Sequence, residues 1–145
     1  MHLTDAVFPI RIWIEDTDFG GVVYHANYLK YFERARTAWA ESLGFGTQAQ
    51  LATGILFAVR TASLDYRLPA RLDDSLEVIT RITRVGRASV DFSQCLRHVS
   101  SDKLVLCVAA TRVASVTLNI KSCPIPEQWR VQLTACRQEE GTDEF

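Results

Sequence analysis

Long apolar runs, an excess of one charge and grouped cysteines are all missing from this sequence. No apolar stretch approaches the roughly 18 residues that cross a bilayer as a helix, so no membrane span is expected. The net charge of -1 gives no general pull toward nucleic acid or an anionic membrane. An anionic ligand would therefore have to be held by local charges. Cys95, Cys107, Cys123 and Cys136 stand far apart, which matches neither a zinc site nor a CxxC redox pair. Reduced, chemically idle thiols are the expectation, in keeping with a reducing cytosol. Met1–Pro9 has no basic region leading into an apolar run, so it does not read as a signal peptide. Repeats and low-complexity tracts are absent too.

What is present suits one ordinary domain. The chain has 145 residues, enough to bury a core without staples. Positions 1–136 are expected to form that domain. The acidic, patternless stretch 137–145 is expected to fray.

Residues 10–15 alternate, with Ile10, Ile12 and Ile14 on one face, which predicts a strand. The segment 16–21 then turns to Asp and Gly, residues of tight turns. Over 27–43 the period lengthens to about 3.6, with Tyr28, Phe32, Ala35, Trp39 and Leu43 in one stripe. This predicts a long amphipathic helix closed by Gly44. A short helical turn is expected at 47–52, ended by Gly54.

The remainder reads as strands at 55–66, 75–84, 88–98 and 104–118. Short connections imply antiparallel neighbours. The predicted order is β-α-β-β-β-β, an α+β fold with a five-stranded antiparallel sheet curved around one long helix. The last strand, 104–118, is expected to leave an exposed edge that would be safer paired.

The stretch 15–28 carries the chemistry. Glu15, Asp16 and Asp18 cluster in a loop, Gly20 and Gly21 let it bend, and a helix start follows. Unpaired N–H groups at such a start act as a partial positive charge of about half a unit. They can hold a developing oxyanion, while a nearby carboxylate serves as nucleophile or general base. Acyl transfer fits that combination. The residues alone leave plainer readings open. Asp16 and Asp18 could be solvated turn residues, and His25 could simply begin the helix. Arg34 and Arg36 read as a solvated helix face. A calcium loop is not indicated, since the EF-hand spacing and its late glutamate are absent.

The pattern E-D-T-D at 15–18, G-V-V-Y-H at 21–25, Asn27-Tyr28 and E-R-A-R-T at 33–37 closely resembles the 4-hydroxybenzoyl-CoA thioesterase family. It is most similar to the YbgC-like branch, the acyl-CoA thioesterases associated with the Tol-Pal system. A second block, Tyr66 with 69–74 and Leu76, fits as well. The resemblance spans about 10–116.

It implies a hotdog fold and no metal or redox cofactor. It makes Asp18 the nucleophile or general base. The His25 backbone N–H would polarise the thioester carbonyl. The His25 side chain matches the YbgC-like branch and so favours short aliphatic acyl-CoA over 4-hydroxybenzoyl-CoA. Tyr24, Asn27 and Tyr28 would shape the pocket, with Asn27 placing the helix start. Arg87 and Ser89, with Arg84 nearby, fall where the family contacts CoA phosphates. Arg60 recurs in the branch and would bind or brace. The resemblance also implies a cytoplasmic homo-oligomer, a dimer or tetramer, with sites between protomers and residues of 55–63 donated by the neighbour. Two other readings compete. One is a non-catalytic module that binds acyl-CoA or acyl carrier protein. The other is a dehydratase of the same fold, whose His/Glu or Asp/His arrangement is not found.

Overall fold

The computed structural model describes residues 5–18, 20–101, 103–137 and Phe145. Strand β1 (Ala6–Arg11) leads through a short 3-10 turn (Ile14–Asp16) and a loop into helix α1 (Asn27–Ser42). Helix α2 (Thr47–Thr53) follows, then strands β2 (Ile55–Tyr66), β3 (Ser75–Val85), β4 (Ser89–His98) and β5 (Val105–Thr117). Helix α3 (Glu127–Cys136) comes last. The five strands form one antiparallel sheet in the order β1-β3-β4-β5-β2.

Helix α1 lies on one face of this sheet because its stripe is apolar. Tyr28, Tyr31, Phe32 and Ala35 are buried against Ile10, Ile12, Leu76, Val78, Leu96 and Leu106. Burying each such large side chain contributes about 2 kcal/mol. Trp39 and Leu43 continue the stripe into a second cluster with Phe45, Phe92, Val113, Trp129 and Leu133. Gly44, at φ 90°, takes the left-handed conformation that ends a helix without a Cβ penalty.

Three expectations need correction. The early strand does not run through 10–15. It stops at Arg11, and Ile14 is 76% exposed in the 3-10 turn. The Asp16 carboxylate accepts the Trp13 N–H at 2.7 Å and so offers the backbone a turn in place of a ladder.

The strand at 104–118 is not an edge. β5 is hydrogen-bonded to β4 on one side and β2 on the other, and the edges are β1 and β2. Near-continuous apolar sequence in β5 reflects an interior strand, whereas most of β2 from Val59 onward is exposed.

The fold also has more than one helix, and the chain after β5 is not simply its last strand and a tail. Pro126 stands at the N-cap of α3, and Trp129 and Leu133, four residues apart, are the buried face. The Trp129 ring stacks on Phe45 with centroids 5.5 Å apart. Of the stretch 137–145, residues 138–144 lie outside the described residues. Arg137 bridges to Ile82, and the Phe145 ring covers the Arg81 guanidinium at 4.1 Å.

Candidate active site

The loop before α1 is a small hairpin. Thr17 pairs with Val23, and Val22 pairs with Arg71. The Asp18 N–H donates to the Val22 carbonyl at 2.9 Å, and the Gly21 N–H to the Asp18 carbonyl at 3.2 Å. Gly20 and Gly21 sit at φ 104° and 77°, which a side chain would strain. Asp18 therefore sits at the hairpin tip, held by backbone bonds alone. Its side chain is exposed. Among the described residues its carboxylate has no hydrogen bond and no ion pair.

Asp16 does the opposite work. Its carboxylate closes the 3-10 turn, and its carbonyl accepts both the Tyr24 N–H at 3.0 Å and the Asn27 amide at 2.9 Å. The Asn27 side chain thus ties the helix start to the hairpin. Of the two neighbouring aspartates, only Asp18 keeps its charge available for chemistry.

His25 stands two positions before the first residue of α1. Among the described residues its backbone N–H has no acceptor. Its carbonyl accepts the Tyr66 hydroxyl at 2.8 Å. Its ring lies 4.7 Å from the Tyr24 ring and 6.3 Å, edge-on, from Tyr66. Tyr66 in turn meets Tyr28 edge-on at 5.1 Å. Tyr28 is buried, and its hydroxyl accepts the Ala70 N–H at 3.0 Å. Tyr28 is therefore a brace behind the site, while half-exposed Tyr24 faces out.

Two residues escaped sequence reasoning. Tyr66, quoted only as part of a motif, locks the end of β2 to the start of α1. Tyr31 is enclosed, and its hydroxyl has no partner among the described residues. Burial, with the Asp16 carboxylate nearby, pushes that hydroxyl far above the usual tyrosine range.

Arg60, Arg87 and Ser89 lie elsewhere. Arg60 is the bulged residue of β2, between Val59 and Thr61, where an extra residue re-aims the side chain. Six residues separate it from Tyr66, about 20 Å of strand. Ser89 pairs with Ala114, which pairs with Ala58, at that same far end. The Ser89 hydroxyl accepts from Arg84 at 3.3 Å. Arg87 is exposed in the β3–β4 turn. One chain therefore groups Asp18, Tyr24, His25, Asn27 and Tyr28 at one end of the sheet and the basic residues at the other. Among the described residues, none of the cavities lined by β2, α1 or β1 touches Asp18 or His25. Among the described residues no cluster of His, Cys, Asp or Glu is arranged to hold a metal ion.

The hairpin and helix start can therefore present one unpaired carboxylate and one unpaired N–H on an aromatic floor. A carbonyl placed between them would meet a base or nucleophile on one side and an oxyanion donor on the other.

The model of the Thioesterase superfamily matches residues 20–105. The Acyl-CoA thioester hydrolase YbgC of Escherichia coli O6:H1 is 41% identical over 128 residues, covering 88% of this chain and 94% of that protein. The Acyl-CoA thioesterase YbgC of Haemophilus influenzae is 43% identical over 123 residues, 83% of this chain and 88% of that protein. A crystal structure of a probable thioesterase from Bartonella henselae superposes with a TM-score of 0.77 at 33% identity. It covers 84% of this chain and 99% of its own. The helix laid on a five-stranded antiparallel sheet is thus the hotdog fold, and the chain belongs to the thioesterase superfamily, among the YbgC acyl-CoA thioesterases.

Proposed function

We propose that this protein hydrolyses the thioester bond of acyl-CoA, releasing a free acid and CoA. The observation that carries the reading is that, among the described residues, the Asp18 carboxylate and the His25 N–H both lack partners, on a hairpin that Asn27 pins to the start of α1. The acyl carbonyl sits against that N–H and the helix opening, which stabilise the oxyanion. Asp18 either attacks the carbonyl carbon, giving a mixed anhydride that water opens, or takes a proton from an attacking water. By both routes the carbon–sulfur bond breaks and sulfur leaves as a thiolate. That leaving group needs little proton assistance, so no metal is invoked.

The CoA phosphates fall to Arg60, Arg87 and Ser89. These lie about 20 Å along the strand from the catalytic hairpin of their own chain. A second copy across the open edge of β2 brings the two sets together. A strand of 12 residues with one edge unpaired among the described residues invites such pairing. We therefore read the working unit as a cytoplasmic homodimer joined through β2, with a tetramer as its further assembly. The substrate class is short-chain aliphatic acyl-CoA, and an acyl carrier protein is the alternative thioester donor.

A thiol-release assay over short, long and aromatic acyl-CoAs tests the reading. Turnover is expected, highest on short aliphatic chains. Tight binding of CoA thioesters with no hydrolysis of any of them would make the protein a binding module instead.

A further inference from the structure

A cavity of about 340 Å³ lies beyond the middle of α1, between α1, α2, α3 and the sheet. Its wall is strongly apolar, built from Trp39, Phe45, Phe57, Phe92, Val113 and Leu133. One cation, Arg36, and one carboxylate, the exposed Glu33, also line it. Arg36, expected on a solvated face, is instead half-buried. Its guanidinium donates to the Gln94 side-chain oxygen at 2.9 Å.

Gln94 is wholly buried, and its amide nitrogen donates to the Phe32 carbonyl at 3.0 Å and the Thr80 hydroxyl at 2.9 Å. Those two bonds orient the amide, so its oxygen must face Arg36. The guanidinium is thereby held in place by a fixed acceptor. A guanidinium has five N–H donors, and this bond uses one. Among the described residues Arg36 has no ion pair. Glu33, one turn earlier and exposed, acts on it only through space. Burial pulls the Arg36 pKa down, yet a guanidinium stays charged at neutral pH. Gln50, another polar wall residue, is already satisfied. It donates to the Phe45 carbonyl at 3.0 Å and accepts the Phe57 N–H at 3.1 Å.

A fixed, half-buried cation that makes no direct ion pair among the described residues is costly in a largely apolar enclosure, and the exposed Glu33 at its rim offsets only part of that cost. Its planar fork matches a carboxylate in two parallel bonds. We infer that this cavity binds the carboxylate end of an apolar chain, with Arg36 holding the carboxylate and Gln94 holding Arg36. Trp39, Phe45 and Phe57 enclose the chain. Arg36 stands nine residues into α1 from Asn27, about 14 Å along the axis. The site is thus separate from the hairpin that would carry out hydrolysis. Two sources share the chemistry: a free fatty acid, or the distal carboxyl of a dicarboxylic acyl thioester.

Calorimetric titration with decanoate and with decanol separates charge recognition from apolar burial and needs no variant. The wild-type protein should bind decanoate about tenfold more tightly than decanol, as expected for a charge-assisted bidentate contact. In Arg36→Gln the two ligands should come within roughly twofold, and Arg36→Lys should keep part of the preference. Equal wild-type affinities, no binding of either ligand, or a preference that survives Arg36→Gln would overturn the inference. Hydrolysis of decanoyl-CoA and of sebacoyl-CoA, its equal-length counterpart with a distal carboxyl, then identifies the source. This arm rests on the thioesterase reading. A preference for sebacoyl-CoA that Arg36→Gln removes assigns the distal carboxyl, and no preference beside tight decanoate binding assigns the free acid. If no thioester is hydrolysed, the proposed function fails while the titration still decides the cavity.

Discussion

Asp16 and Asp18 are two residues apart and identical in chemistry, yet the backbone gives them different work. Asp16 spends its carboxylate on Trp13 and its carbonyl on Tyr24 and Asn27, while Asp18 is left with a free carboxylate among the described residues. Tyr28 shows the same principle behind the site. Tyr28→Phe keeps the ring and leaves the buried Ala70 N–H without its acceptor. Urea unfolding should show a loss of about 1–2 kcal/mol. The thiols offer a second test at this scale. Burial pushes Cys95 up to about 11 and Cys107 up to about 12. A raised thiol pKa leaves almost no thiolate at pH 8, so neither should react with a disulfide reagent until the protein unfolds. Rapid labelling of native Cys107 would contradict its burial. The place of Asp18 in a tight turn and the anchoring of the helix start by Asn27 were legible in the sequence, because hairpin and helix start are local. Tyr66 was not, because its contact with His25 spans 41 positions and exists only once β2 has folded back. Arg36 was misread because helical period places it off the apolar stripe, and only the packing of α1 against the sheet brings it to Gln94 of β4.

Among the elements, α1 and the later strands were readable from periodicity to within a few residues. The early strand was overextended because alternation alone cannot register that Asp16 captures the Trp13 N–H. The neighbours β3-β4 and β4-β5 followed from their short connections, but the edges of the sheet were hidden. Which of β2 and β5 lies outside depends on tertiary pairing, and both are rich in apolar residues. Helix α3 did leave a signal, Pro126 followed by Trp129 and Leu133. It closes the second core cluster by stacking Trp129 on Phe45 and packing it beside Phe57. Trp129→Ala should cost about 3–5 kcal/mol and lower helical content in circular dichroism. A change below about 1 kcal/mol would mean that α3 is not part of the cooperative core.

The whole molecule presents a hairpin that carries Asp18 open to solvent, a set of basic residues far from it, and a long edge on β2 that no described strand pairs. Pairing across that edge would join these parts. Val59 is 53% exposed next to the β2 bulge, and Val59→Asp would place two like charges near each other in a symmetric pair. Light scattering should then show a shift from dimer to monomer, with a parallel fall in turnover. A monomeric wild-type protein with full activity would remove the need for a second copy.

The most direct measurement concerns Asp18 itself. In a thiol-release assay with a short-chain acyl-CoA, Asp18→Asn keeps the shape of the hairpin tip and removes the charge. The account predicts a fall in kcat of at least about a thousandfold with thermal unfolding unchanged. Wild-type turnover by a folded Asp18→Asn variant would contradict it and place the base or nucleophile elsewhere.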